Sequence, residues 1–211
     1  MSRRDLQGAR KHLDDVLRLQ SNNRQALELL LEIDMAQPDR LLAEQHVEKL
    51  LTLDPRNAVG NLVLGSIQYA RREYELAEAS YRTSLLTRRS DRALNDLAWI
   101  LQLKGRYEEA SKLVREAIQL NPKNASAWDT LGIVSLRLNR VDDAADALQK
   151  ALSYQPGNPQ YILHMAQIYE KKGLREEALS LADPLLSQAA LFDPDAYEEL
   201  RALIKRLRPS S

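Results

Sequence analysis

Cysteine is absent from the 211 residues, and phenylalanine occurs once. The first absence excludes a disulfide framework, a thiolate metal site and a cysteine nucleophile. The second leaves aromatics at 5% of the chain, thin for one compact core of this size. Seven glycines and eight prolines are few for a loop-rich or all-β protein. No apolar run approaches the roughly 18–20 residues that span a bilayer. The opening Met1-Ser2-Arg3-Arg4-Asp5 lacks the apolar stretch of a secretory signal. Charge of one sign is lacking too, since 30 Lys+Arg balance 30 Asp+Glu. Residues 1–57 hold 9 basic and 10 acidic side chains, 58–124 hold 11 and 8, and 125–211 hold 10 and 12. No third is basic enough for nucleic acid or an anionic membrane as the main partner, and no direct membrane insertion is expected. What remains is rich in Leu, Ala, Glu and Arg, unbranched residues that lose little rotamer freedom in a helix.

An internal period organises these residues. Small residues recur at Ala43, Ala77, Ala110, Ala144 and Ala178, spaced 34, 33, 34 and 34. Leu31, Gly65, Ala98, Gly132 and Ala166 repeat the spacing, preceded directly by Leu30, Leu64, Leu97, Leu131 and Met165. Three coincident series at one period mark a repeat architecture. Each unit reads as two helices and a turn. Trp128, Leu131, Val134 and Leu138 form one helical stripe, and Val141, Ala144, Ala145, Leu148, Ala151 and Leu152 form the next. Gly105 and Gly173 punctuate units, and Asn121-Pro122 and Gln155-Pro156 separate them. Small residues at Gly132 and Ala144 allow the two helices of a hairpin to approach closely.

Trp128, Leu131-Gly132, Ala144, Leu148, Ala151 and Pro156 resemble the tetratricopeptide repeat (TPR) pattern at every one of its sites. Leu94, Leu97-Ala98, Leu101, Ala110, Val114, Ala117 and Pro122 match it in the neighbouring unit. Pro38 stands for the turn glycine in the first full unit, and Arg89 for the closing proline in the second. The resemblance implies an all-α fold, an α-solenoid of stacked antiparallel helix hairpins forming a TPR superhelix. The expected division is residues 24–57, 58–90, 91–124 and 125–158 as repeats, and 159–190 as a degenerate repeat interrupted at Pro184. Residues 1–23 read as the second helix of a truncated repeat, because Ala9 lies 34 residues before Ala43. A repeat cannot bury its apolar face alone, so the chain is expected to be a piece of a longer protein. Residues 193–208 read as a C-terminal capping helix, with Asp193 as N-cap, Pro194 at the first helical position and a stripe of Ala196, Leu200, Leu203, Ile204 and Leu207.

Catalytic signatures are missing: no phosphate-cradling glycine loop, no Gly-x-Ser-x-Gly turn and no His-x-x-x-His helix. No enzyme activity, cofactor or metal is expected. Asp142, Asp143 and Asp146 read as a solvated helix face. In the resembled family the first helix of each unit builds a concave groove, through spacings of three and four. The groove candidates taken as partner-binding are Leu62, Ser66, Tyr69, Arg92, Asn95, Trp99, Gln102, Asp129, Ile133 and His164. Two family uses fail residue by residue. The carboxylate clamp of chaperone-tail receptors needs Lys, Asn and Arg, but its registers hold Glu28, Glu32, Val63, Arg92 and Asp96; Leu62, Ser66, Asp96, Ser126 and Thr130; or Asn95, Trp99, Thr130, Gln160 and His164. The asparagine ladder of sugar-transferring relatives would occupy Leu29, Val63, Asp96, Thr130 and His164, which fit no better.

Trp99 puts a large amphipathic ring at a groove position, of a type enriched at binding hot spots. Its alternative is packing near Ser66 and Ile133. Trp128 occupies the large-apolar core site and is expected to pack. Asn95, Asp129 and His164 form a polar row along the groove, or equally a set of inter-helix hydrogen bonds. The runs Asn95-Asp96-Leu97-Ala98-Trp99, Asp129-Thr130-Leu131-Gly132 and His164-Met165-Ala166 resemble TPR regions of bacterial envelope scaffolds serving exopolysaccharide export and protein sorting. That resemblance implies a scaffold holding protein or peptide partners, in the periplasm or at the cytoplasmic face of the envelope. The alternative function is self-assembly into a homodimer through an open N-terminal face at Leu6, Leu13 and Val16.

Overall fold

A computed structural model describes residues 3–36 and 40–208. Pro38 lies outside them. The chain forms two compact units, residues 1–100 and 101–211. Among the described residues every regular element is helical.

The first unit contains α1 (Arg3–Leu19), α2 (Arg24–Ala36), α3 (Arg40–Leu53), α4 (Ala58–Ala70), α5 (Tyr74–Thr87) and most of α6 (Asp91–Leu103). Side-chain caps start its first helices. Asn23 accepts from the Ala26 N–H at 3.0 Å, Asn57 from Gly60 at 3.0 Å and Ser90 from Ala93 at 3.2 Å. Each cap satisfies a donor that the first helical turn leaves open. Between α4 and α5 the chain turns through Arg72 at φ 62°, a left-handed conformation that costs a non-glycine residue about 1 kcal/mol. Leu27, Leu31, Val47, Leu50 and Val63 form the core between α2, α3 and α4. Gly65 is needed there, because a Cβ would sit 2.6 Å from the Tyr81 ring. The carboxylate of Asp34 on α2 is fully buried; it pairs with Arg10 of α1 and lies 2.7 Å from His46 Nδ1 of α3. This ties three successive helices through one acid. On α1, Leu6, Ala9, Leu13, Val16 and Leu17 are half-buried.

The second unit contains α7 (Tyr107–Leu120), α8 (Ala125–Arg137), α9 (Val141–Tyr154), α10 (Pro159–Lys171), α11 (Arg175–Ala182) and α12 (Pro194–Leu207). Asn124 and Asn158 cap α8 and α10 as their counterparts do in the first unit. Gly105, Asn139 and Gly173 adopt φ of 73°, 60° and 75° at the intervening turns. At Gly132 a Cβ would fall 1.7 Å from Leu148 Cδ2 and 3.3 Å from the Ala144 carbonyl oxygen, so α8 and α9 touch there as the small-residue pattern predicts. After α11 the chain tightens into a 3-10 segment, Asp183–Leu191, with Pro184 in its first turn. Asp193 caps α12, accepting from the Ala196 N–H at 2.9 Å. Leu200, Leu203, Ile204 and Leu207 of α12 are buried against Leu163, Ala166 and Ala182, each large apolar side chain contributing about 2 kcal/mol. Arg206 grips both oxygens of Glu170 at 2.8 and 2.9 Å, fastening α12 to α10.

Candidate binding face

The α4 and α6 helices of the first unit place Leu62, Ser66, Tyr69, Arg92, Asn95 and Trp99 on their first-helix side. Tyr69 is 37% exposed and Arg92 is exposed, while Leu62, Ser66 and Trp99 are half-buried. The Trp99 indole Nε1–H donates to Tyr69 Oη at 2.9 Å, joining α6 to α4 at a solvent edge. Tyr69 also meets Tyr74 of α5, with ring centroids 6.0 Å apart and tilted by 43°. Behind this pair, Ser66 donates to the Leu62 carbonyl at 3.1 Å and accepts from the buried Tyr81 hydroxyl at 3.4 Å.

Asp96 stands beside them, 3.8 Å from the Arg92 guanidinium. Burial raises its pKa to about 6, against the pull of Arg92 and of the Asn95 amide that donates to it at 3.3 Å. The Tyr81 hydroxyl is pushed upward mainly by its own burial, then by the Asp96 charge. Asn95 is 8% exposed, and its Oδ1 has no hydrogen-bond partner among the described residues. The face therefore combines an aromatic pair, an exposed cation and a carboxylate held near its titration point.

Gln102, Asp129, Ile133 and His164 are buried, with 3–6% of their surface exposed. His164 Nδ1 lies 2.6 Å from Asp129 Oδ1, and His164 Nε2 lies 2.9 Å from Gln160 Nε2. With the proton on Nδ1, the ring donates to the carboxylate and accepts from the amide. Of the expected polar row, Asp129 and His164 form an inter-helix bond between α8 and α10, while Asn95 bonds to its neighbour Asp96. Trp128 differs from the expectation of a buried aromatic. It is half-buried, packs on the cluster of Ala144, Leu148 and Met165, and donates from Nε1 to the Pro122 carbonyl at 2.8 Å. Its indole N–H is held by the loop, which keeps one edge near the surface. Asp96 stands in the groove register of the sequence, but its raised pKa follows from a burial that the periodicity does not encode. The burial signal for it, a carboxylate among apolar helix neighbours, was visible only in part.

No group of three or more His, Cys, Asp or Glu among the described residues is arranged to hold a metal ion. No helix there is long and apolar enough to cross a membrane. Models of the tetratricopeptide repeat match residues 62–125, 101–161 and 135–204. This chain belongs to the tetratricopeptide repeat family. It is 31% identical over 133 residues to the type IV pilus assembly protein PilF of Pseudomonas aeruginosa, covering 62% of this chain and 53% of that protein. It is 31% identical over 166 residues to the cellulose synthase operon protein C of Xanthomonas axonopodis, covering 74% of this chain and 11% of that one. The chain therefore spans about half or less of these relatives' lengths. A solved structure of Pseudomonas aeruginosa PilF superposes with a TM-score of 0.64 at 27% identity, over 89% of this chain and 93% of that one. The tetratricopeptide fold serves as a protein–protein interaction scaffold, and its members are in general non-catalytic.

Proposed function

We propose that this tetratricopeptide chain is an adaptor that captures a segment of a partner protein on the first-helix face of α4 and α6. The observation that carries the reading is the Trp99–Tyr69 pair, bonded at 2.9 Å at a solvent edge with Tyr69 37% exposed. A tethered aromatic pair offers large contact area at low entropic cost, because its rotamers are already held. Leu62 and Ser66 extend the contact, and Arg92 supplies a charge for orientation. PilF takes its name from type IV pilus assembly and the second relative from a cellulose synthase operon. We place this chain in bacterial envelope machinery of the same kind. A photoreactive benzoylphenylalanine in place of Tyr69 should crosslink the partner. The same group in place of Leu86, 86% exposed on α5, should not. Crosslinking from Leu86 alone would refute the assignment.

A second reading, self-assembly, is favoured by one feature of the first unit. Leu6, Ala9, Leu13, Leu29 and Ile33 line an apolar depression of about 450 Å³ between α1 and α2. A second copy seated there would make the chain a homodimer. Light scattering on the size-exclusion eluate checks it, and a concentration-independent monomer rules it out.

A further inference from the structure

Arg92, Asn95, Asp96 and Trp99 are spaced three and four apart on α6 and so share one helix face. Trp99 bonds Tyr69 of α4, and the Asp96 charge acts on Tyr81 of α5. In this cluster the donors are taken up and the acceptors are not. Ser66 gives its proton to the Leu62 carbonyl, Tyr81 gives its own to Ser66, and the Trp99 N–H goes to Tyr69. Asn95 Oδ1 is the one buried side-chain atom among the described residues with no hydrogen-bond partner, on a residue 8% exposed. Turning the amide over would only set that oxygen against the carboxylate, acceptor facing acceptor. The Asp96 carboxylate has about four lone-pair sites. It accepts one bond, from Asn95 Nδ2 at 3.3 Å, while Arg92 stands off at 3.8 Å, outside hydrogen-bonding distance. Arg92 is the cation that acts on Asp96, and Asp91 acts against it. Burial still raises the Asp96 pKa to about 6, the behaviour of a carboxylate short of positive charge. Its side chain remains 24% exposed, which leaves a way in from solvent.

We propose that this cluster, resting on the partner face assigned above, is a cation subsite that takes a lysine or arginine side chain of the partner segment. The incoming head group donates to the Asp96 carboxylate, a charge-assisted bond and so among the stronger ones. The Asn95 amide turns about its soft terminal torsion and accepts from the same head group. The Trp99 ring receives the cation over its face, within about 6 Å of the ring centre. Arg92, whose side chain is 48% exposed, moves off into solvent. An acidic side chain would bring further lone pairs and a like charge to a site already over-supplied with acceptors.

The test is an NMR titration of the full chain at pH 8, where Asp96 is charged, read at the Asn95 side-chain amide and the Trp99 indole N–H. The probe is lysine blocked at both backbone ends, compared with its ε-acetylated form, which keeps the stem and lacks the charge. Blocked lysine should shift both signals and saturate in the range of about 1 mM, with the Trp128 indole signal unmoved. The ε-acetylated form should bind at least about ten-fold more weakly, the scale of a hydrogen bond to a charged group. Asp96→Asn keeps the shape and removes a buried charge, and it should bring the two probes to equal responses. Arg92→Gln removes the internal competitor and should tighten blocked lysine by about three-fold, the scale of an exposed ion pair. Equal binding of the two probes to wild type overturns the proposal, as does a preference for charge that survives Asp96→Asn. Tighter binding of blocked glutamate overturns it too. A partner that crosslinks from position 69 while blocked lysine moves neither signal keeps the face and overturns the subsite. Unmoved signals together with no crosslink overturn both.

Discussion

In the first unit, α4 and α6 are joined through Tyr69 and Trp99 at a solvent edge. In the second, α8 and α10 are joined through Asp129 and His164, both nearly out of water. The helices are the same kind of element from the same kind of repeat, so the difference lies in side chains and in depth. Asp129 and His164 lie inside the layer, where a polar pair must satisfy itself. Tyr69 and Trp99 lie at the edge, where an aromatic pair keeps part of its surface in water. One layer is therefore closed by its hydrogen bonds, and the other keeps an aromatic edge in water.

This contrast can be broken by substitution. His164→Leu removes the donor to a buried carboxylate and should lose about 3 kcal/mol, lowering Tm by about 9 °C. Adding Asp129→Leu should restore part of that loss, since the unpaired charge is then gone. A thermal melt in which His164→Leu matches wild type would show the pair to be dispensable. Trp128→Ala should cost about 2 kcal/mol by chemical denaturation, less than a fully buried tryptophan, because half of the ring's environment is already solvent.

Asp96 sharpens the comparison by pH. Its pKa is about 6 in the folded chain against an ordinary value of 3.8, so the folded state binds more protons between those values. Stability should therefore fall as pH rises from 4 to 6, by about 2 kcal/mol, and level off above. Asp96→Asn should remove the slope and be the more stable protein at pH 7, while matching wild type at pH 4. Parallel stability curves for the two would contradict the burial argument. The smallest effect is at the α4–α5 turn, where Arg72→Gly should gain about 0.5–1 kcal/mol by relieving the left-handed backbone. Equivalent turns already use Gly105 and Gly173.

Much of the architecture was legible because packing imposes a period. The alanine series at 43, 77, 110, 144 and 178 is buried throughout, and Gly132 is small because Leu148 occupies the space a Cβ would take. The cap series Asn23, Asn57, Ser90, Asn124 and Asn158 carries the same period and was readable in principle, but caps are single polar residues in a polar background. Site details were less legible. The spacing that puts Asp129 and His164 on one face does not say whether they face a partner or each other. Trp128 reads as core from its repeat position, yet its indole N–H is drawn to the Pro122 carbonyl, a loop contact no periodicity encodes.

The most direct test of the account is Trp99→Ala, measured for stability and for partner capture in the same preparation. An open aromatic edge predicts a Tm within about 3 °C of wild type and capture weakened at least about ten-fold. A Tm lower by about 9 °C or more with capture intact would place Trp99 among the structural residues and contradict the account.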